Sequence, residues 1–201
     1  MIQNKASVTS EFKAKLIFRL RETFHQLLME RFRRWYWCAQ GMQVGPGGRL
    51  ARIYVTWPHQ SKIGANCKIE HGVYFHFDGI YGPGPSIVIG DNCFIGSNCE
   101  FNITSRLEIG SDCLIASGTV IVDHNHGMEP KKLIRTQKGV SNPVVIGRNV
   151  WIGANCVILQ GVHIGEGAII GAGSVLTKHV PSLALEAGVP AKVLKTRAPN
   201  S

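Results

Sequence analysis

The 201-residue sequence has no apolar run near the roughly 20 residues that a bilayer-crossing helix requires. Its start lacks the apolar core and small-residue cleavage site of a secretory signal. A cytoplasmic address is the expectation that follows. Acidic residues are scarce: 13 Asp and Glu stand against 22 Lys and Arg, a formal balance of +9. Such an excess suits an anionic partner such as phosphate groups or a membrane surface. Nucleic acid is not expected, because no recognised binding motif is present. C-x-x-C spacing is also missing, which argues against a redox pair or a zinc cluster built on the six cysteines. Proline is sparse, nine residues against 23 glycines, a balance that implies many tight corners.

What the sequence has instead is a six-residue period. Stepping by six from Ile146 gives Ile152, Ile158, Ile164, Ile170 and Leu176, all aliphatic. The next position reads Gly147, Gly153, Leu159, Gly165, Gly171 and Thr177. The fifth reads Val150, Cys156, Val162, Ala168, Ser174 and Val180, all small or β-branched. The same frame appears earlier as Ile63 and Ile69, Ile89 and Ile95, and Ile109, Ile115 and Ile121. Neither a helical period nor sustained strand alternation fits; a strict hexapeptide predicts a parallel β-helix, an all-β solenoid of triangular coils. In this reading the aliphatic residue fills the interior and glycine supplies the backbone angles of the turn. Cys67, Cys93, Cys99, Cys113 and Cys156 occupy the small fifth position, so they are expected to be reduced and structural.

The frame breaks three times: between Phe75 and Ile89, between Phe101 and Ile109, and from about 123 to 142. The last excursion opens with "VDHNHG", and a loop of that length in a compact repeat points to function. Before the repeat, residues 11–38 carry apolar side chains at 16, 20, 24, 27 and 28, continued by Phe32 and Trp35, the spacing of a helix. Residues 1–38 hold eight Lys and Arg against three Glu. This segment is expected to cap the open end of the solenoid and pack within an oligomer. A peripheral contact with the inner face of a membrane is the compatible second reading. The expected organisation is a helical segment over 1–45, the solenoid over 46–197, and a tail over 198–201.

"VIGRNVWIGANCVILQGVHIGEGAIIGAGSVLTKHV" (145–180), "EAGVPAKVLK" (186–195) and the "DHNH" motif resemble the hexapeptide-repeat acyltransferases. The match is to their galactoside, maltose and polysaccharide O-acetyltransferase members, over roughly residues 60–197. The resemblance implies a left-handed β-helix, a homotrimer with active sites between subunits, and acetyl-CoA as co-substrate with no metal. It places the catalytic histidine on His126; His124 lacks a counterpart in the acetyltransferases of that group, although D-H-x-H variants occur among saccharide acetyltransferases. The CoA-side positions fall on Trp151, Ala154, Ala172, Thr177, Lys178, Lys192 and Lys195. An asparagine that assists the acceptor hydroxyl in galactoside enzymes would fall near Glu100, with Asn102 two residues on.

The residues fit that chemistry. Histidine titrates near operating pH and serves as a base for an acceptor hydroxyl. Asp123 or Glu100 could fix the imidazole's tautomer, backbone N–H groups near Ala154 could meet an oxyanion, and the late lysines with Arg197 could meet phosphates. The function implied is transfer of acetyl to a sugar hydroxyl in surface polysaccharide or glycolipid assembly. N-acetylation of an amino sugar is the runner-up. A non-catalytic scaffold is one alternative of another class. The other is a zinc-dependent β-helical carbonic anhydrase, which uses an H-x4-H pair like His71 and His76 with a third histidine upstream. Here the upstream candidates are only His59 and His25, neither at a suitable spacing. His163 and His179, like His71 and His76, are expected at the surface of corners.

Overall fold

The computed structural model describes residues 3–79 and 81–197 and, for 3–12 and 21–27, the backbone alone. Helix α1 (Gln3–Ala39) leads into a solenoid of three parallel sheets. Face 1 stacks Gln43–Val44, Ser61–Ile63, Ile87–Ile89, Leu107–Ile109, Val144–Ile146 and His163–Ile164. Face 2 stacks Arg49–Leu50, Lys68–Ile69, Phe94–Ile95, Leu114–Ile115, Trp151–Ile152 and Ile169–Ile170. Face 3 stacks Tyr54–Val55, Tyr74–Phe77, Glu100–Ile103, Val120–Val122, Val157–Ile158 and Val175–Leu176. The chain runs face 1, face 2, face 3 and returns, so each coil rests on the previous one at strand spacing, about 4.8 Å.

The hexad frame is the inward register. Ile63, Ile69, Phe75, Ile89, Ile95, Phe101, Ile109, Ile115 and Ile121 are buried in one continuous core, and the later members follow in line. Each such side chain contributes about 2 kcal/mol when fully buried. A one-residue slip would turn the whole set outward, so the register is firmly set. The five cysteines of the frame are buried and free, and only Cys38 is exposed. Their thiols donate to carbonyls of the next coil, as in Cys93 to Gly110 at 3.1 Å and Cys113 to Gly147 at 3.1 Å. Burial holds the Cys99 and Cys156 thiols above the usual thiol range.

Two expectations need correcting. The glycines after the inward residue do not supply turn angles. The positive φ values fall two residues later, on Asn66, Asn92, Asp112, Asn149 and their equivalents. The glycines are there for clearance: a Cβ on Gly153 would lie 2.5 Å from Ala172 N, and one on Gly110 would lie 2.7 Å from Gly147 C. Stacked backbones meet at these corners, leaving no volume for a side chain. The solenoid also starts earlier than position 46. Gln43–Val44, Arg49–Leu50 and Tyr54–Val55 form a complete first coil, whose opening strand lies before the expected boundary because Val44 lacks the isoleucine signature.

At the far end the hexapeptide gives way to a hairpin. Ala184–Gly188 extends face 2 in parallel, and Ala191–Thr196 folds back antiparallel upon it. The expected tail, 198–201, lies outside the described residues.

Helix α1 caps the open end only with its last turns. Trp37 packs on the core, Arg33 Nε donates to Leu50 O at 2.9 Å, and Arg34 Nη2 donates to Val44 O at 3.2 Å. Arg49 and Glu30 pair at 3.0 and 3.2 Å. The capping face therefore joins one aromatic ring to polar groups, and the apolar stripe is not what caps. Leu16, Leu20, Leu28, Phe32 and Trp35 are exposed. The side chains of Phe24 and Leu27, on the same stripe, lie outside the described residues.

Candidate active site

All three breaks in the frame open at one vertex, where face 3 returns to face 1. The excursions follow Phe77, Ile103 and Val122, each the last residue of a face 3 strand. Counting hexads in threes from Ile63 would have located them, since each break follows a third hexad. The longest excursion, from Asp123 to Pro143, is tied at its base. His124 pairs antiparallel with Ser141 and Asn125 with Val140, while Asn142 N donates to Asp123 O at 2.8 Å. Farther out, Gln137 accepts from Glu129 N at 2.7 Å and donates to Glu129 O and Lys132 O at 3.0 Å.

Asp123 is fully buried and organises the corner. Its carboxylate accepts from Thr104 N at 2.8 Å, Thr104 Oγ1 at 3.1 Å, Ser105 N at 2.7 Å and Arg106 N at 2.8 Å. A buried carboxylate is tolerated only with such a set of donors. The same carboxylate lies 3.2 Å from His124 Nδ1. With the proton on Nδ1 donated to Asp123, His124 Nε2 is left as an acceptor. His124 is 18% exposed, whereas His126 is exposed and makes no hydrogen bond to a described residue.

Both imidazoles line a cleft of about 470 Å³, together with Asp78, Asn102, Thr104 and the strand Val140–Ser141. Asn102 stands on face 3 with its Oδ1 buried and unpaired among the described residues. Asp78, which sequence reasoning missed, belongs to the first excursion. Glu100 sits two residues before Asn102 on the same strand and does not line the cleft. Of the two carboxylates considered as imidazole partners, only Asp123 takes that position.

The CoA-side positions are spread around one chain. Trp151 is exposed on face 2, and Ala154 and Ala172 occupy successive corners between faces 2 and 3. Thr177 and Lys178 lie at the vertex of the cleft but two coils farther on, beside Gln160 and His179. Lys192 and Lys195 sit on the terminal hairpin, and Arg197 is committed to Gly167 O at 2.7 Å. The late basic residues therefore form no single cluster. Face 3 separates Ala154 from His124 and His126, so a single chain does not bring the proposed oxyanion donors to the imidazoles.

The histidines of the zinc alternative are engaged elsewhere. His71 Nδ1 lies 3.2 Å from Ser97 Oγ, His76 stacks on Tyr74 at 5.0 Å, and His59 Nε2 lies 3.0 Å from Gly82 O. The side chain of His25 is not described. Among the described residues no three His, Cys, Asp or Glu side chains converge. His163 and His179 are exposed at adjacent coils, where the His163 backbone N–H donates to His179 Nδ1 at 3.0 Å. The first excursion also lies at this vertex, where Tyr81 packs 5.7 Å from Trp57 and 4.6 Å from His59.

Fold and site together define a parallel β-helix of hexapeptide repeats with an imidazole-lined cleft at one vertex. Family models match it twice: the bacterial transferase hexapeptide (six repeats) over 143–178 and the hexapeptide repeat of succinyl-transferase over 86–122. The matched repeats are those of the hexapeptide-repeat transferases, and the parallel solenoid fits their left-handed β-helix. The chain is 35% identical to the galactoside O-acetyltransferase of Escherichia coli strain K12 over 137 residues, 66% of this chain and 62% of that one. It is 38% identical over 119 residues to WbbJ of the same organism, a relative named for O-acetyl transfer in lipopolysaccharide biosynthesis. That match covers 54% of this chain and 60% of the relative. The chain thus spans about three fifths of the length of these relatives. A hexapeptide-repeat-containing acetyltransferase of Vibrio cholerae O1 biovar eltor, solved with acetyl coenzyme A, superposes with a TM-score of 0.63 at 26% identity. That superposition covers 89% of this chain and 83% of that one.

Proposed function

We propose that the protein transfers acetyl from acetyl-CoA to a hydroxyl of a saccharide, with His126 as the general base. The observation that carries the reading is the cleft itself, two imidazoles beside Asn102, whose Oδ1 is unpaired among the described residues, at the vertex where all three excursions open. Acetyl-CoA supplies an activated thioester. His126 takes the acceptor's hydroxyl proton as the oxygen attacks the carbonyl carbon, and the C–S bond breaks. The imidazolium then returns the proton to the leaving thiolate, giving an acetyl ester and free CoA. His124, held through Nδ1 by Asp123, orients the acceptor beside it, and Asn102 Oδ1 accepts from a neighbouring sugar hydroxyl. Trp57 and Tyr81 offer ring faces at the same vertex for a longer saccharide.

The spread of the CoA-side positions supports a homotrimer, in which a neighbouring copy brings its Ala154, Ala172 and Trp151 against this cleft. The likeness to galactoside and lipopolysaccharide O-acetyltransferases supports a role in surface polysaccharide or glycolipid assembly. The test is release of free thiol from acetyl-CoA with a panel of sugars and amino sugars. His126→Ala should lower the rate by about 10²-fold or more with the fold intact. Full activity in that variant beside a dead His124→Ala would move the base to His124. Indifference to both would remove the cleft from catalysis, and turnover confined to amino groups would make the reaction N-acetylation.

A further inference from the structure

The cleft and the solenoid leave the outward face of α1 without a task. Leu16, Leu20, Leu28, Phe32 and Trp35 share one side of that helix and are exposed, Trp35 at 64%. The residues that grip the body, Glu30, Arg33, Arg34 and Trp37, lie on another side, turned about 130° away at 100° per residue. The apolar stripe therefore faces away from its own solenoid. It does so on a helix with eight Lys and Arg against three Glu, five of the chain's nine excess positive charges. Lys13, Arg19 and Arg31 are exposed.

We infer that α1 lies along an anionic phospholipid surface, with the stripe seated at the headgroup boundary and the basic residues against the phosphates. Charge selects this occupant over a second copy of the helix. Packing the stripes of two or three copies together would bring five like charges per helix into one bundle, whereas an anionic bilayer neutralises them. Trp35 and Tyr36 suit an interface, because each ring joins an apolar body to a polar edge. The helix lies on the bilayer and does not cross it: no described helix is long and apolar enough to span. Seated this way, the enzyme would meet an acceptor held at a membrane, such as a lipid-linked saccharide. That consequence rests on the proposed function, but the binding itself does not.

The experiment is flotation of the full chain with vesicles of phosphatidylcholine alone or mixed with phosphatidylglycerol. Binding is expected only to the mixed vesicles and should fall steeply with added salt. Phe32→Glu with Trp35→Glu should abolish it while leaving molar mass and thiol release on a soluble sugar unchanged. Lys13→Glu with Arg31→Glu, both exposed on the side of the stripe, should weaken binding more than tenfold, since each basic residue near such a surface is worth about fivefold. Equal binding to both vesicle types, or none to either, would overturn the inference. So would a fall in molar mass in the Phe32, Trp35 variant without vesicle binding by the parent, which would make the stripe an interface between copies.

Discussion

The vertex between faces 1 and 2 and the vertex between faces 3 and 1 are built from the same repeat, yet they solve different problems. At the first, glycine follows the inward residue in every coil: Gly45, Gly64, Gly90, Gly110, Gly147 and Gly165. Two residues later comes glycine, asparagine or aspartate at positive φ, and the amides form a ladder, Asn66 to Asn92 at 3.3 Å and Asn92 to Asp112 at 3.1 Å. At the other vertex the residue after the inward one is Thr56, His76, Asn102, Val122, Leu159 or Thr177, never glycine. The backbones do not meet there, so three of the strands run on past the hexad, and the chain is free to leave. One corner spends its sequence on close stacking. The other is released from stacking, and Asp78, Asn102, His124 and His126 all gather at it.

The strongest way to break that comparison is to add a side chain where backbones touch. Gly110→Val would drive its Cβ against Gly147 C, as the clearance of 2.7 Å requires. It should cost about 3 kcal/mol or more, seen as a large fall in Tm by circular dichroism. Thr177→Gly, at the equivalent step of the open vertex, should stay within about 1 kcal/mol of the parent. Equal effects at the two corners would refute the distinction.

Asp123 tests whether the open vertex still needs an anchor. Asp123→Ala leaves the N–H groups of Thr104, Ser105 and Arg106 without their acceptor. Unmet buried donors cost about 1–3 kcal/mol each before relaxation or entering water, so a loss of about 2–3 kcal/mol is expected in denaturant titration. The same variant frees His124, so thiol release should fall even below the unfolding transition. Shortening the loop between Met128 and Arg135 should cost less than 1 kcal/mol, because nearly all of that segment is exposed.

The hexad register was legible because isoleucine every sixth residue has one physical use, and the burial of Cys67, Cys93, Cys99, Cys113 and Cys156 followed from it. The opening strand of the first coil was not, since Val44 marks its interior place without a distinctive pattern. The purpose of the glycines was misread because a single sequence shows where glycine recurs but not which neighbouring backbone approaches it. The "DHNH" cluster was legible as the start of the longest excursion, and both its histidines line the cleft. Its wiring was not legible: Asp123 serves the corner of the previous coil, 17 to 19 residues back, and Glu100 stays out of the cleft. The helix stripe was visible at 3.6-residue spacing, but its direction was not, because the face that grips the body is mostly polar, with Trp37 as its one large apolar contact.

The smallest expected effect lies where the repeat runs out. Glu186 occupies an inward place on Ala184–Gly188, where a regular coil would put an aliphatic side chain, and it is buried. Desolvation raises its carboxyl pKa above the usual carboxylate value. The folded state then keeps a proton that the unfolded chain has already released, so folding loses stability as pH rises from about 4.3 through the raised value. Above that value the loss is complete and constant. Glu186→Gln cannot ionise and escapes it. The variant should match the parent in Tm near pH 4 and exceed it modestly at pH 7, with the gap opening between the two. A parent that gains stability relative to the variant as pH rises would mean that the carboxylate is stabilised in the folded state, and that the end of the stack is polar in function as well as in sequence.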